Sequence, residues 1–182
     1  MEESIKIYLK LTLLWGIVGI SLLVKLSHIG WGKSKMLTGS YFNTIDTKGR
    51  AFVPPKLRYE IGERVWLVKG IDTCIYVMSQ DSWRNFVAEY ASDLTKRDAR
   101  ARKLQRFIFG NSKEVDIDAQ GRINIPVDHR EYAGIEKDIA FVGAGDRIEL
   151  WSKEKYEAEN DPETLDPDAL MREAGVLSPS AE

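Results

Sequence analysis

The nine residues from Asp46 to Pro54, Asp-Thr-Lys-Gly-Arg-Ala-Phe-Val-Pro, return 72 positions later as Asp118 to Pro126, Asp-Ala-Gln-Gly-Arg-Ile-Asn-Ile-Pro. The Asp, Gly, Arg and Pro are identical, and Arg58 is matched by Arg130 at the same offset. A second echo follows with a small shift: Gly70 to Val77 resembles Gly145 to Trp151. Each copy ends on a serine and an aromatic, Ser79 with Trp83 and Ser152 with Tyr156. Self-similarity of this kind makes the chain two versions of one unit. Its 182 residues suffice for one ordinary domain or two small ones.

The unit reads as a mixed α/β module. Tyr41, Asn43 and Ile45 alternate ahead of the first Asp, and Val115 and Ile117 ahead of the second, as strands with one buried face do. An Asp-x-x-Gly turn follows. Gly49 and Gly121 suit a reversal that needs positive φ, and Asp46 and Asp118 can close it by accepting backbone hydrogen bonds. A short apolar strand then ends at Pro54 or Pro126, which fits the first turn of a short helix. Leu57, Tyr59 and Ile61 in one copy, and Tyr132 and Ile135 in the other, supply its apolar contacts. A hairpin is expected next, Val65–Val68 with Cys74–Val77, matched by Ile139–Val142 with Ile148–Trp151. Ser79 and Ser152 are candidate N-caps of the closing helices.

Between the copies a helix is expected from about Thr95 to Phe109, with Thr95 and Asp98 resembling a capping box. Ala101, Leu104, Phe107 and Ile108 form its apolar stripe. Lys96, Arg97, Arg100, Arg102, Lys103 and Arg106 make it basic, a pattern that a solvated face explains as well as phosphate binding does.

Lys48 and Arg50 in one turn, and Gln120 and Arg122 in the other, place donors on a short ribbon. Arginine can fork onto guanine or grip phosphate, glutamine can read adenine, and a two-stranded ribbon fits the major groove. Alternatively, Arg50 and Arg122 pair with Asp46 and Asp118 across their own turns and staple the hairpins. The residues alone leave both readings open.

A net charge of −2 conceals three regions. Residues 1–35 carry five lysines against two glutamates, a net +3. Residues 36–156 carry 20 bases and 18 acids, a net +2, and residues 157–182 carry eight acids against Arg172, a net −7. The overall acidity therefore does not argue against a nucleic-acid partner. The tail, with Pro162, Pro167 and Pro179 among acids, is expected to be disordered and solubilising. Between Lys10 and Lys25 lie 14 uncharged residues, short of the roughly 20 that span a bilayer. Three readings compete for residues 1–35: a signal or weak anchor, a membrane-surface segment, or a stretch translated from upstream of the true start. The third is preferred, because Met36 opens directly onto a patterned domain and no Ala-x-Ala cleavage site precedes it.

The stretch from Met36 to about Tyr156 resembles the MraZ family of bacterial transcriptional regulators, which is similar to AbrB-type and MazE-type swapped-hairpin DNA-binding proteins. The resemblance is carried by the two Asp-x-x-Gly-Arg motifs with Pro126, by Gln105-Arg106-Phe107 after the basic helix, and by the run from Gly145 to Ser152. It implies an α+β fold: a tandem pair of AbrB-like swapped-hairpin β-α units forming one pseudo-symmetric MraZ-type domain. Five segments follow: the 1–35 extension, a first repeat at 36–94, the basic connecting helix at 95–110, a second repeat at 111–156, and the 157–182 tail. The resemblance further implies a cytoplasmic, nucleoid-associated homo-oligomeric ring. Its implied partner is promoter DNA with repeated boxes, and its role mainly repression of the division and cell-wall gene cluster, its own gene included. Arg50 and Arg122 would be the principal DNA contacts, with Lys48 an additional one and Gln120 its less basic counterpart. The second motif departs from the first by lacking that lysine.

Other function classes find less support in the sequence. His28 and His129 sit in no metal-ligand spacing, and no Gly-x-Ser-x-Gly elbow occurs. Gly143-Ala144-Gly145 starts like a dinucleotide loop, but Ile148 stands where the third glycine would be. Cys74 lies in a strand pattern where a buried structural thiol is the ordinary case, and one cysteine allows no internal disulfide. Neither an enzyme, a cofactor, a metal nor a small-molecule substrate is therefore expected. The remaining rival is a protein-interaction module, antitoxin-like or membrane-tethered, built on the same fold.

Overall fold

The computed structural model describes residues 36–93, 98–161, 163 and 165–173. The described residues belong to one compact unit, and the two repeats within it are not separable bodies. In chain order, β1 (Leu37–Thr44), β2 (Arg50–Phe52), α1 (Pro55–Ile61), β3 (Arg64–Lys69), β4 (Ile75–Ser79) and α2 (Gln80–Asp93) make the first unit. Helix α3 (Ala99–Gly110) connects. The second unit repeats the order as β5 (Lys113–Asp116), β6 (Arg122–Asn124), α4 (Val127–Ala133), β7 (Asp138–Gly145), β8 (Arg147–Ser152) and α5 (Lys153–Glu159).

The units exchange strands. A six-stranded antiparallel sheet runs β1-β7-β8-β4-β3-β5, so the first strand of each unit pairs with the hairpin of the other. Interchanging the units reverses this order onto itself, which is a pseudo-twofold axis through the β4–β8 seam. The second sheet is the ribbon β2-β6, again one strand from each unit. The swapped arrangement expected from the resemblance is thus present within one chain.

Alternation along the inner strands accounts for two cores. Val65 and Leu67 of β3, Ile75 and Val77 of β4, Ile139 and Phe141 of β7, and Ile148 and Leu150 of β8 face one side. They pack there with Ala51 and Ile123 of the ribbon strands, with Val53 and Ile125 just beyond them, and with Leu57 and Ile61 of α1. Val68, Tyr76, Met78, Ala140 and Trp151 face the other side, against Ile108 and Leu104 of α3 and Trp83 and Phe86 of α2. A sheet covered on both faces needs apolar residues at consecutive positions, which is why β3 and β4 read as unbroken apolar runs.

Caps fix where the helices start. Ser79 Oγ accepts from Ser82 N at 3.1 Å and Ser152 Oγ from Lys155 N at 3.3 Å, as the repeated serines predict. Helix α3 begins at Ala99, later than expected, because Asp98 is its cap and accepts from Arg100 N at 2.8 Å. Thr95, Lys96 and Arg97 lie outside the described residues. The stripe of Ala101, Leu104, Phe107 and Ile108 faces inward as anticipated. Pro54 and Pro126 stand at the N-caps of α1 and α4, one residue before the first turn.

Two expectations change. Tyr59, expected to supply an apolar contact, is 80% exposed, since a seven-residue helix turns only Leu57 and Ile61 inward. The tail, expected without regular structure, contains a helix, α6 (Pro167–Glu173). Asp166 Oδ1 starts it by accepting from Asp168 N at 3.0 Å and Ala169 N at 3.1 Å, and Pro167 is pre-set for a first helical turn. The 1–35 extension lies outside the described residues.

One buried side chain breaks the internal symmetry. His129 occupies in α4 the place that Leu57 holds in α1, is fully buried, and finds no hydrogen-bond partner for either ring nitrogen among the described residues. Its Nδ1 lies 3.3 Å from Asp128 Oδ2, a carboxylate that also receives Lys113 Nζ at 2.7 Å. Burial outweighs that carboxylate and holds the imidazole pKa below its usual 6.5. Below pH 6.5 the unfolded chain therefore takes up a proton that the folded chain resists, so folding stability falls as pH drops through that value. The thermal midpoint is expected to decline from pH 7.5 to 5.5, and His129→Leu to remove most of that decline without lowering the midpoint at pH 7.5. Asp128, held at about 2 chiefly by Lys113, titrates below this window. Circular dichroism melts at the two pH values check this.

Candidate nucleic-acid interface

The two Asp-x-x-Gly turns are built identically. In the first, Gly49 N donates to Asp46 O at 2.9 Å and Asp46 N to Arg50 O at 2.8 Å. Asp46 Oδ1 accepts from the backbone N–H of Lys48 and of Arg50, both at 2.9 Å. Its Oδ2 accepts Arg50 Nε at 2.8 Å and lies 2.7 Å from Arg50 Nη2. In the second turn Asp118 repeats every contact with Gln120 N, Arg122 N, Arg122 Nε and Arg122 Nη2, at 2.7 to 3.0 Å. Gly49 and Gly121 have φ of +79° and +82°, so the glycine is required by backbone conformation.

The carboxylate of each turn is consumed in holding it. Arg50's hydrogen bonds keep the Asp46 carboxyl at about 2, and Arg122 lowers that of Asp118 in the same way. Both arginines thus staple their own turns, the structural alternative left open by the sequence. Stapling does not exhaust a guanidinium. Two of its five N–H donors are used in the fork with Asp, which leaves three to reach outward.

Lys48 and Gln120 stand exposed at the turn tips, and their side chains make no hydrogen bond or ion pair with the other described residues. The ribbon brings the two turns into one surface. Ile125 N donates to Gly49 O at 2.8 Å and Val53 N to Gly121 O at 2.9 Å, so each turn is tied to the end of the other unit's strand. Gly49 and Gly121 are then four strand residues apart, about 13 Å at the usual rise, close to the ~12 Å width of the DNA major groove. All four predicted site residues and all four turn-forming residues, Asp46, Gly49, Asp118 and Gly121, therefore lie along one ribbon.

Two arginines join them to which the sequence reading gave no role. Arg58 of α1 lies against Gly121, where a Cβ would overlap its Nη1, and Arg130 of α4 lies against Gly49, with Nε 3.2 Å from such a Cβ. Each unit's helix arginine covers the other unit's turn. The Arg130 Nε donates to Ile125 O at 3.1 Å, and the Arg58 guanidinium sits 5.8 Å from the centre of the Phe52 ring. Their common 72-residue offset was the signal that could have marked them. The basic residues of α3 are exposed, and that helix packs on the opposite face of the main sheet from the ribbon.

No group of three or more His, Cys, Asp or Glu suited to a metal ion occurs among the described residues. Burial pushes the Cys74 thiol up to about 12, so it is a packing group without nucleophilic character. Among the described residues no helix is long and apolar enough to cross a membrane.

Comparison with known proteins points in one direction. The family model described as "MraZ protein, putative antitoxin-like" matches residues 36–107 and 108–163, once per repeat. A transcriptional regulator MraZ of Thermoanaerobacter sp. (strain X514) is 49% identical over 123 residues, covering 67% of this chain and 85% of the relative. That of Acetivibrio thermocellus is 38% identical over 143 residues, 78% of this chain and 99% of the relative. That of Alkaliphilus oremlandii is 39% identical over 145 residues, 78% of this chain and 100% of the relative.

Proposed function

The chain belongs to the MraZ family of transcriptional regulators, and from that premise we propose that it is a sequence-specific DNA-binding regulator whose reading head is the β2-β6 ribbon. The observation that carries this is the interlocked pair of turns, Asp-stapled and about a groove width apart, that presents Lys48, Arg50, Gln120 and Arg122 on one surface. Its targets in this reading are repeated boxes in the promoter of the division and cell-wall gene cluster, its own gene included. The outcome there is repression, in the cytoplasm and at the nucleoid.

Electrostatics supports a multivalent mode. Each Arg–Asp pair is internally neutral, so long-range attraction falls to Lys48, Arg58 and Arg130. Few net charges make one box a weak site. Several subunits in a ring, each meeting one box, raise the effective concentration of every later contact. The turns divide the labour: stapled arginines fix geometry at the duplex, and Lys48 adds a mobile phosphate contact that Gln120 lacks.

The stapled arginines also favour a second reading, a protein-interaction scaffold on the same fold in which the pairs are purely structural. Binding of the full chain to its own upstream DNA, against scrambled DNA over a salt series, separates the two. A regulator prefers its own DNA and loses affinity steeply with salt. The log–log slope is expected to be shallower by about 1 per subunit contact in Lys48→Ala, with affinity reduced for both DNAs alike. Equal weak binding to both DNAs by the unmodified protein favours the scaffold.

A further inference from the structure

The outer face of the ribbon carries a chemistry that the pseudo-twofold does not repeat. In β2 and β6 the inward residues are Ala51 and Ile123, directly paired and buried. Outward stand Arg50 opposite Asn124, and Phe52 opposite Arg122. The arginines, the stapling aspartates, the turn glycines and the covering Arg58 and Arg130 all obey the internal symmetry. The remaining outward pair does not: Phe52 is an exposed aromatic where its counterpart Asn124 is an exposed amide.

Neither residue is explained by folding. Phe52 is 42% exposed although a core lies on the other side of the same strand. Its ring is held in place from two sides, by the Arg58 guanidinium and by the backbone at Gly121, whose added Cβ would stand 3.3 Å from the ring. A rigid apolar group among arginines has few partners in water. The amide of Asn124 makes no hydrogen bond to the other described residues, so both its donor and its acceptor face outward unused.

Major-groove edges supply the two complementary groups. Thymine is the base that presents a methyl group there, and adenine presents the donor and acceptor that an asparagine amide meets in a bidentate pair. We propose that Phe52 reads a thymine methyl group and Asn124 an adenine, which makes the ribbon a directional reader whose two halves demand different bases. The inference rests on the ribbon being the DNA-reading head. Diagonal neighbours across two strands stand about 7–8 Å apart, so the two bases lie about two base-pair steps apart. The arginines, common to both halves, grip the duplex without setting its direction.

The test uses the full chain and its own upstream DNA made in three forms: unmodified, with deoxyuridine for thymidine, and with 7-deazaadenine for adenine. Deoxyuridine removes one methyl group, and loss of its burial is expected to weaken the unmodified protein about fourfold. Phe52→Ala is expected to bind thymidine DNA about as weakly as the unmodified protein binds deoxyuridine DNA, and to lose the distinction between them. Asn124→Ala is expected to become indifferent to 7-deazaadenine, which lacks the N7 acceptor and weakens the unmodified protein several-fold. Equal affinity of the unmodified protein for all three forms, with preference over scrambled DNA retained, overturns base reading here and leaves the DNA-binding function standing. Loss of that preference altogether overturns the function as well. A Phe52→Ala protein that changes its oligomeric state yet still distinguishes thymidine from deoxyuridine places Phe52 at a subunit contact and overturns its assignment. The comparison of DNA forms on the unmodified protein requires no variant to fold.

Discussion

Arg50→Ala is expected to lower affinity for promoter DNA about 100-fold while leaving the assembly intact. Two losses combine. The outward donors of a charge-assisted guanidinium disappear, and so does the fork at 2.7–2.8 Å that holds Asp46 and orients the turn. The fold tolerates the change because Arg50 is a ribbon residue outside both buried clusters, and the turn keeps its backbone hydrogen bonds from Gly49 and Asp46. Asp46→Asn separates the two contributions. It preserves the arginine, weakens the fork, and exposes one uncompensated positive charge per subunit. Specific affinity should fall while affinity for scrambled DNA rises, a pair of opposite changes that loss of folding cannot produce. With the Asp46 carboxyl held at about 2, the staple contributes stability above the unfolded carboxyl pKa near 4 and loses it only as pH falls toward 2. Weakening of DNA binding between pH 8 and 5 would thus have a source other than this pair. Filter binding or fluorescence anisotropy with both variants, alongside size-exclusion chromatography, checks the set.

The internal repeat makes most of the fold legible in the sequence. Identical Asp, Gly, Arg and Pro at one offset announced two copies of a turn, and alternation on either side announced strands. What a repeat cannot announce is which copy a strand pairs with. That β1 joins β7 and β5 joins β3 is a property of the closed sheet, and only the family resemblance carried it. The site divided along the same line. Lys48, Arg50, Gln120 and Arg122 were visible because the motif contains them, whereas Arg58 and Arg130 act on the opposite unit's turn and gain meaning only through the exchange. Phe52 and Asn124 fall at the same place in the repeat, but only the pairing of β2 with β6 sets them on one outward face. The expected start of α3 near Thr95 lies outside the described residues; within them Asp98 caps the helix at Ala99, which the Thr95–Asp98 spacing does not announce.

The strand exchange also locates the position where one methyl group should do most damage to the fold. Gly143 of β7 is the partner of Gly39 in β1, and here the two backbones lie closer than side chains allow. A Cβ on Gly143 would stand 2.5 Å from Leu37 C and 2.7 Å from Thr38 Cα, and would overlap Thr38 N. These are main-chain atoms of the first two residues of β1, so no rotamer change relieves them. Gly143→Ala should therefore push β1 off the sheet edge, at a cost of about 3 kcal/mol. For a chain of this size that lowers the thermal midpoint by roughly 10 °C. Because β1 leads directly into the Asp46 turn, the same change should weaken the first turn's grip on DNA before the second's. Gly110→Ala provides the contrast. It lies at the last residue of α3 with no atom within 4 Å of an added Cβ, and should be neutral or stabilising by up to about 1 kcal/mol. If both variants melt alike, the close approach of β1 and β7 is not what limits this position. A large loss at Gly143 alone would show that the exchanged strand, and with it the Asp46 turn it leads into, depends on a backbone contact that only glycine permits.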